Sequence, residues 1–183
     1  MKSYRSYLKD IHQKQDGSYQ YEGNYMAWPK SPGRRTILTK AWILALAGTA
    51  AQIAAGWVKG SFVNLIYVLL PYAIGFVGWV SVTYGLARLT LAKDPVREYV
   101  HAQTAAKLPG RGILSAVFSG IAVIGTLGAV FFGNTGDNWI SYVSFLLPEV
   151  AACGISIRIV CIFTELSWVK IVQDSENVRT EGK

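Results

Sequence analysis

Four apolar stretches leave this chain few ways to fold. They run from about Thr36 to Val58, Phe62 to Leu89, Ile113 to Gly133 and Trp139 to Phe163. Each supplies the roughly 20 residues of helix that a hydrocarbon core of about 30 Å requires. Helix is the one open-ended structure that satisfies its own backbone in lipid. The composition agrees: 51% hydrophobic and 16% charged residues, with a mean hydropathy of +0.28, are unlike an ordinary soluble domain. The expected fold is all-α and integral to a membrane, with four transmembrane helices. The polar N-terminus (MKSYRSYLKDIHQKQDG) lacks the apolar run of a cleavable signal peptide.

A net charge of +7 would suit nucleic acid, but the bases fall at the span ends instead. Lys2, Arg5, Lys9, Lys14, Lys30, Arg34 and Arg35 precede the first span; Arg88, Lys93, Arg97, Lys107 and Arg111 lie between the second and third. The other two loops carry only Lys59 and no base at all. By the positive-inside rule both termini and the middle loop are cytoplasmic. The excess is a topology signal, and nucleic acid is not an expected partner. The absence of a leader and of a disulfide framework suits a plasma (inner) membrane of bacterial type. Cys153 and Cys161 share the fourth span and read as small packed residues rather than a redox pair.

Sliding the sequence against itself reveals an ungapped offset of 77. Lys30-Ser-Pro-Gly-Arg34 falls on Lys107-Leu-Pro-Gly-Arg111, Gly48-Thr49 on Gly125-Thr126, Gly56 on Gly133, and Leu69-Leu70-Pro71 on Leu146-Leu147-Pro148. About a fifth of the aligned positions are identical. The expected organisation is a cytoplasmic segment (1–29), a first transmembrane hairpin (30–93), a linker helix (94–106), a second hairpin of the same orientation (107–170) and a polar tail (171–183). Such parallel repeats are related by an axis along the membrane normal.

The copies differ at a telling position: Tyr72 stands where the second copy has Glu149. Glu149 is the one acid well inside a span. An ionised acid there costs several kcal/mol unless a partner, water or a proton relieves it. It should therefore face the bundle interior, with Gln52, Thr49, Asn64, Tyr67, Tyr72 and Thr126 as candidate neighbours in an intramembrane polar site. Pro71 and Pro148 should kink their helices by removing a donor and freeing the carbonyls of Tyr67 and Ser144. These kinks serve either packing or a ligand cavity. Arg158 lies too far round and too deep to reach Glu149, and should snorkel or pair with Glu165 at the cytoplasmic end.

Small residues recur every four positions in the first span (Ala47, Ala51, Ala55; Gly48, Gln52, Gly56), and Ser115/Ser119 and Gly125/Gly128 mark the third. Such patterns let helices approach closely. Trp42, Trp57, Trp139, Trp168 and Tyr142 read as interfacial anchors. Tyr4, Tyr7, Leu8 and Ile11 sit at helical spacing among bases, suiting a short helix on an anionic inner leaflet or docked on the bundle. SYQYEGNYMAW alternates like an extended strip, and Asp94-Pro95 should cap a second short amphipathic helix.

No nucleophile elbow, phosphate loop, metal-ligand spacing or catalytic carboxylate pair occurs, and His12 and His101 sit outside the spans. The expected function is non-enzymatic and without cofactors. It is helix association, as an accessory or scaffold subunit of a membrane complex or as a homo-oligomer. The alternative is a small transporter or channel, kinked at Pro71/Pro148, with Glu149 handling protons or cations.

Overall fold

Each apolar stretch becomes one long helix in a computed structural model, which describes residues 11–13, 19–21, 23–132 and 136–171. In chain order the helices are α1 (Arg34–Gly56), α2 (Ile66–Leu91), a short α3 (Glu98–Gln103), α4 (Leu108–Phe132) and α5 (Trp139–Thr164). The four long ones are long and apolar enough to cross a membrane. They pack as a bundle, so the chain is an all-α, multi-pass membrane protein. α2 shows the pattern: Val68, Pro71, Gly75, Gly78, Val82, Leu86 and Leu89 line its buried face, while Val77 and Val80 stay exposed. A helix apolar on every side suits an environment of protein on one face and lipid on the other.

Two helix starts differ from the sequence reading. The second begins at Ile66 rather than Phe62, because Ser61–Asn64 closes into a 3-10 turn. The carboxylate of Asp137, from the α4–α5 loop, accepts from the backbone N–H groups of Ser61 and Phe62, both at 2.9 Å. Pro71 is thus only one turn and a half into α2. The third begins at Leu108 rather than Ile113, with Pro109 in a first turn where its missing donor is not needed.

Around the bundle α2 packs along α4, α4 along α5 and α5 along α1, while α1 and α2 share a narrower contact. The α2–α4 seam is the closest. A Cβ on Gly78 would lie 3.1 Å from the Ser115 backbone nitrogen, and one on Gly75 3.3 Å from that of Ser119. Higher up, a Cβ on Gly125 would lie 2.5 Å from the Tyr67 carbonyl oxygen, the carbonyl that Pro71 leaves without its helical donor. The small residues of α1 serve differently: Gly48 lies under the Trp79 ring and Gly56 under the Tyr72 hydroxyl. They make room for rings rather than for a backbone.

One end of the bundle is tied by short strands. A β1 (Ile11–Gln13)–β2 (Tyr19–Tyr21) hairpin precedes an antiparallel sheet in which β3 (Tyr25–Ala27) lies between β4 (Val96–Arg97) and β5 (Val169–Ile171). The sheet joins segments that precede α1, follow α2 and follow α5. Of the expected N-terminal helix, Tyr4, Tyr7 and Leu8 lie outside the described residues, and Ile11 belongs to β1. The linker helix is shorter than expected. Val96 is fully buried and pairs with Met26, so Asp94-Pro95 leads into a strand, and α3 starts only at Glu98.

The aromatic anchors divide. Trp57 and Trp139 are exposed, as anchors should be. Tyr142 instead stacks on Phe62 at 4.3 Å between ring centroids, and Trp168 packs on Trp28 and His101, each at 4.5 Å. Trp42 is half-buried and donates from Nε1 to Thr90 Oγ1 at 3.0 Å.

Candidate functional site

Two apolar cores fill the bundle. The larger, around Trp79, Leu86, Leu108 and Ile159, extends toward the sheet end; the smaller, around Phe62, Val68, Tyr142 and Phe145, fills the opposite end. A polar layer separates them. Gln52 of α1, Ser119 of α4 and Glu149 of α5 are all fully buried there.

Helical phase brings these side chains inward. On α5, Glu149 shares its face with Tyr142, Phe145, Ala152, Ser156 and Ile159. On α1, Gln52 lies between Gly48 and Ala55 on the inner face. Its amide Nε2 donates to Ser119 Oγ at 2.9 Å and to Glu149 Oε2 at 3.4 Å. Tyr72, whose side chain comes from α2, donates its hydroxyl proton to the Gln52 carbonyl at 2.9 Å. All four long helices therefore meet at one glutamine. Gly56 makes the Tyr72 bond possible, since a side chain there would strike the hydroxyl. Two buried oxygens of this cluster, Gln52 Oε1 and Glu149 Oε1, have no hydrogen-bond partner.

Four other buried hydroxyls are satisfied by backbone. Thr126 donates to Ala122, Ser156 to Ala152 and Thr104 to Val100, each one turn back, and Ser115 donates across the seam to the Gly75 carbonyl. What remains is a carboxyl group held by the Ser119 hydroxyl and the Gln52 amide, with no basic side chain bonded to it among the described residues.

Of the expected neighbours, Gln52 and Tyr72 belong to the cluster. Thr49 is half-buried and bonds back to Ala45. Thr126 bonds to its own helix, Asn64 is exposed in the 3-10 turn, and Tyr67 is exposed near the start of α2. Pro71 is buried and Pro148 half-buried, one residue before Glu149. Arg158 and Glu165 are both exposed, and no ion pair between them is found among the described residues. Ser119, which the sequence marked only as a spacer, is a partner in the cluster; its signal was a hydroxyl on the same face as Thr126. Cys153 is half-buried and donates to the Ala116 carbonyl at 3.4 Å, and both cysteines are free.

Two arginines bond to carbonyls of α2 and its end, Arg34 at the C-terminus and Arg111 nearly three turns earlier. Arg34 Nη2 donates to the carbonyls of Thr90 at 3.0 Å and Ala92 at 2.6 Å, and Arg111 Nη1 donates to that of Ser81 at 3.0 Å. Arg34, a cation at the helix C-terminus, also complements its dipole. These are the arginines of the two K-x-P-G-R motifs, and both act on the same helix. The chain matches no known family model, no curated protein and no solved structure.

Proposed function

We propose that this is a non-enzymatic membrane protein that works by helix association, as a scaffold or accessory subunit or as a homo-oligomer. The observation that carries the reading lies on the outer face of α4. Gly120 and Gly128 stand two turns apart on one face, with Ile124 between them, and neither has any atom within 4 Å of where a Cβ would project. Glycine in a helix interior costs roughly 0.5–1 kcal/mol relative to alanine. A pair that meets nothing inside the monomer suits close approach by a helix from another subunit. Ala47 and Ala54 on the outer surface of α1 extend the same logic, while Gly48, Gln52 and Ala55 are used inside. The cluster at Gln52 then serves as the bundle's internal latch.

The test is crosslinking in native membranes followed by purification in mild detergent. A discrete oligomer or co-purifying protein that is lost in Gly120→Leu and Gly128→Leu supports association. Monomer alone, with nothing co-purifying, would sink it.

The finer architecture belongs to the same proposal: two hairpins of parallel orientation, both termini cytoplasmic, in an inner membrane. Its support is that α2 and α5 bury the same face at an offset of 77. Val68, Gly75, Val82 and Leu86 correspond to Phe145, Ala152, Ile159 and Phe163, all buried. Cysteine labelling that reached Ser61 and Lys93 from the same side would refute it.

A second reading is favoured by the two unpartnered oxygens. A protonated Glu149 would gain a donor for which Gln52 Oε1 is a buried acceptor, whereas an ionised one would have only the Ser119 hydroxyl and one long amide bond in a buried layer. That is the chemistry of a proton- or cation-handling group. Glu149→Gln in proteoliposomes decides it: pH-dependent flux identical to the parent protein excludes the role.

A further inference from the structure

The narrow α1–α2 contact leaves a long recess on the outside of the bundle. Near the strand end it is an open groove of about 560 Å³ lined by Arg34, Arg35, Leu38, Trp42, Leu46 and Thr90, among others. A separate, smaller recess of about 280 Å³, with no lining residue in common, lies further along the same two helices between Thr49 and Phe76, Trp79 and Val80. From Arg35 to Leu46 the groove runs about 17 Å at 1.5 Å rise per residue. One leaflet contributes about 15 Å to a hydrocarbon core of about 30 Å. The groove is therefore long enough for an extended acyl chain.

Its two ends differ in chemistry. The body is apolar: Leu38, Ile43 and Leu46, with the ring of Trp42. The mouth carries two guanidinium groups and no acid. Arg34 is held by the Thr90 and Ala92 carbonyls, which neutralise none of its formal charge. Arg35 is exposed, and among the described residues its side chain has no hydrogen bond or ion pair. An occupant must place an anion at the arginines and hydrocarbon along the groove.

We infer that the α1–α2 seam binds an anionic glycerophospholipid, with its phosphate at Arg35 and Arg34 and one acyl chain along Leu38, Trp42 and Leu46. A zwitterionic lipid would bring its own ammonium group beside the arginines and should bind less well. Basic recesses between membrane helices recognise anionic headgroups in this way. The site is independent of the outward glycines on α4, so either reading can fail without the other.

The experiment is native mass spectrometry of the full chain, released from micelles containing equal phosphatidylglycerol and phosphatidylcholine. The parent protein should retain phosphatidylglycerol preferentially. Arg35→Gln should lower that preference roughly fivefold, the contribution of one basic residue beside an anionic headgroup. Leu46→Trp, which fills the groove without touching its charge, should remove the retained lipid. Lys40→Gln removes an exposed base outside the groove lining and should change nothing. Equal retention of both lipids by the parent protein overturns the inference, as does an equal loss in Lys40→Gln and Arg35→Gln. So does competition by inorganic phosphate alone, which would mark a simple anion site. A photoreactive maleimide on Leu46→Cys, in a Cys153→Ala/Cys161→Ala background, should label lipid; capture of a second copy there would assign the groove to protein instead.

Discussion

The α2–α4 and α1–α2 seams are both built on glycine, and the glycines do opposite things. Against α4, Gly75 and Gly78 lie on the backbone of Ser119 and Ser115, and Gly125 lies on the Tyr67 carbonyl. Nothing there can move aside. Against α2, Gly48 and Gly56 lie under the far ends of the Trp79 and Tyr72 side chains. Rings hold those two helices apart, and the recess results. A small-xxx-small pattern in a sequence therefore marks where something large comes close. It does not say whether that is a helix or a ring.

The largest expected effect is at the close seam. Gly78→Val drives a branched side chain into the Ser115 backbone and should cost about 3 kcal/mol, the upper end of overpacking. Gly125→Ala should cost about 2 kcal/mol by pushing on a carbonyl that cannot rotate away. Denaturant unfolding in mixed micelles measures both. Gly48→Ala should cost less, about 1 kcal/mol, because it meets only the far end of the Trp79 side chain, which can tilt, rather than a backbone carbonyl. Equal losses in Gly48→Ala and Gly125→Ala would erase the distinction between the seams.

Gly56→Ala sharpens the comparison further. It should break the Tyr72–Gln52 bond and cost about 1 kcal/mol. In a Tyr72→Phe background that bond is already absent, so the alanine should then cost little. A double-mutant cycle reads the difference; additive losses would mean that the glycine matters for some reason other than the hydroxyl.

Much of this was legible because lipid constrains composition so strongly. The four spans announced themselves, and so did the inward direction of Glu149, since an outward acid would have faced hydrocarbon. The partner was harder to read. Gln52 stood out as an amide in an apolar run, but Ser119 looked like a spacer, because serine is both small and polar. Gly75, Gly78 and Gly85 of α2 carried no four-residue repeat and were not read as a seam, yet Gly75 and Gly78 make the closest one. β2 and β3 form within SYQYEGNYMAW, the stretch that alternates like an extended strip, but β4 and β5 were invisible for a different reason. β4 and β5 are two and three residues long and pair with β3 across most of the chain, so no local pattern specifies them. That same pairing overrode the capping signal at Asp94-Pro95.

The smallest effect tests whether the open seam is steadied from the strand end. Trp28 is buried against Trp168, and the Arg34 guanidinium lies 5.9 Å from the Trp28 ring centre, so the aromatic stack adjoins the mouth of the groove. His101 meets the other side of Trp168 edge-on. Burial pushes the His101 imidazole below its ordinary value of 6.5, outweighing Glu98, which acts to raise it. Glu98 is also engaged by Lys170 at 3.5 Å. With its value lowered by folding, His101 binds protons less readily in the native state than in the unfolded one. Stability is then complete above the ordinary histidine range and declines as pH falls through it. Tryptophan fluorescence of the parent protein should therefore show the strand end loosening on mild acidification, and His101→Asn should flatten that dependence. An unchanged pH profile in the variant would assign the acid sensitivity to another group, and would leave the seam's looseness to Trp79 and Tyr72 alone.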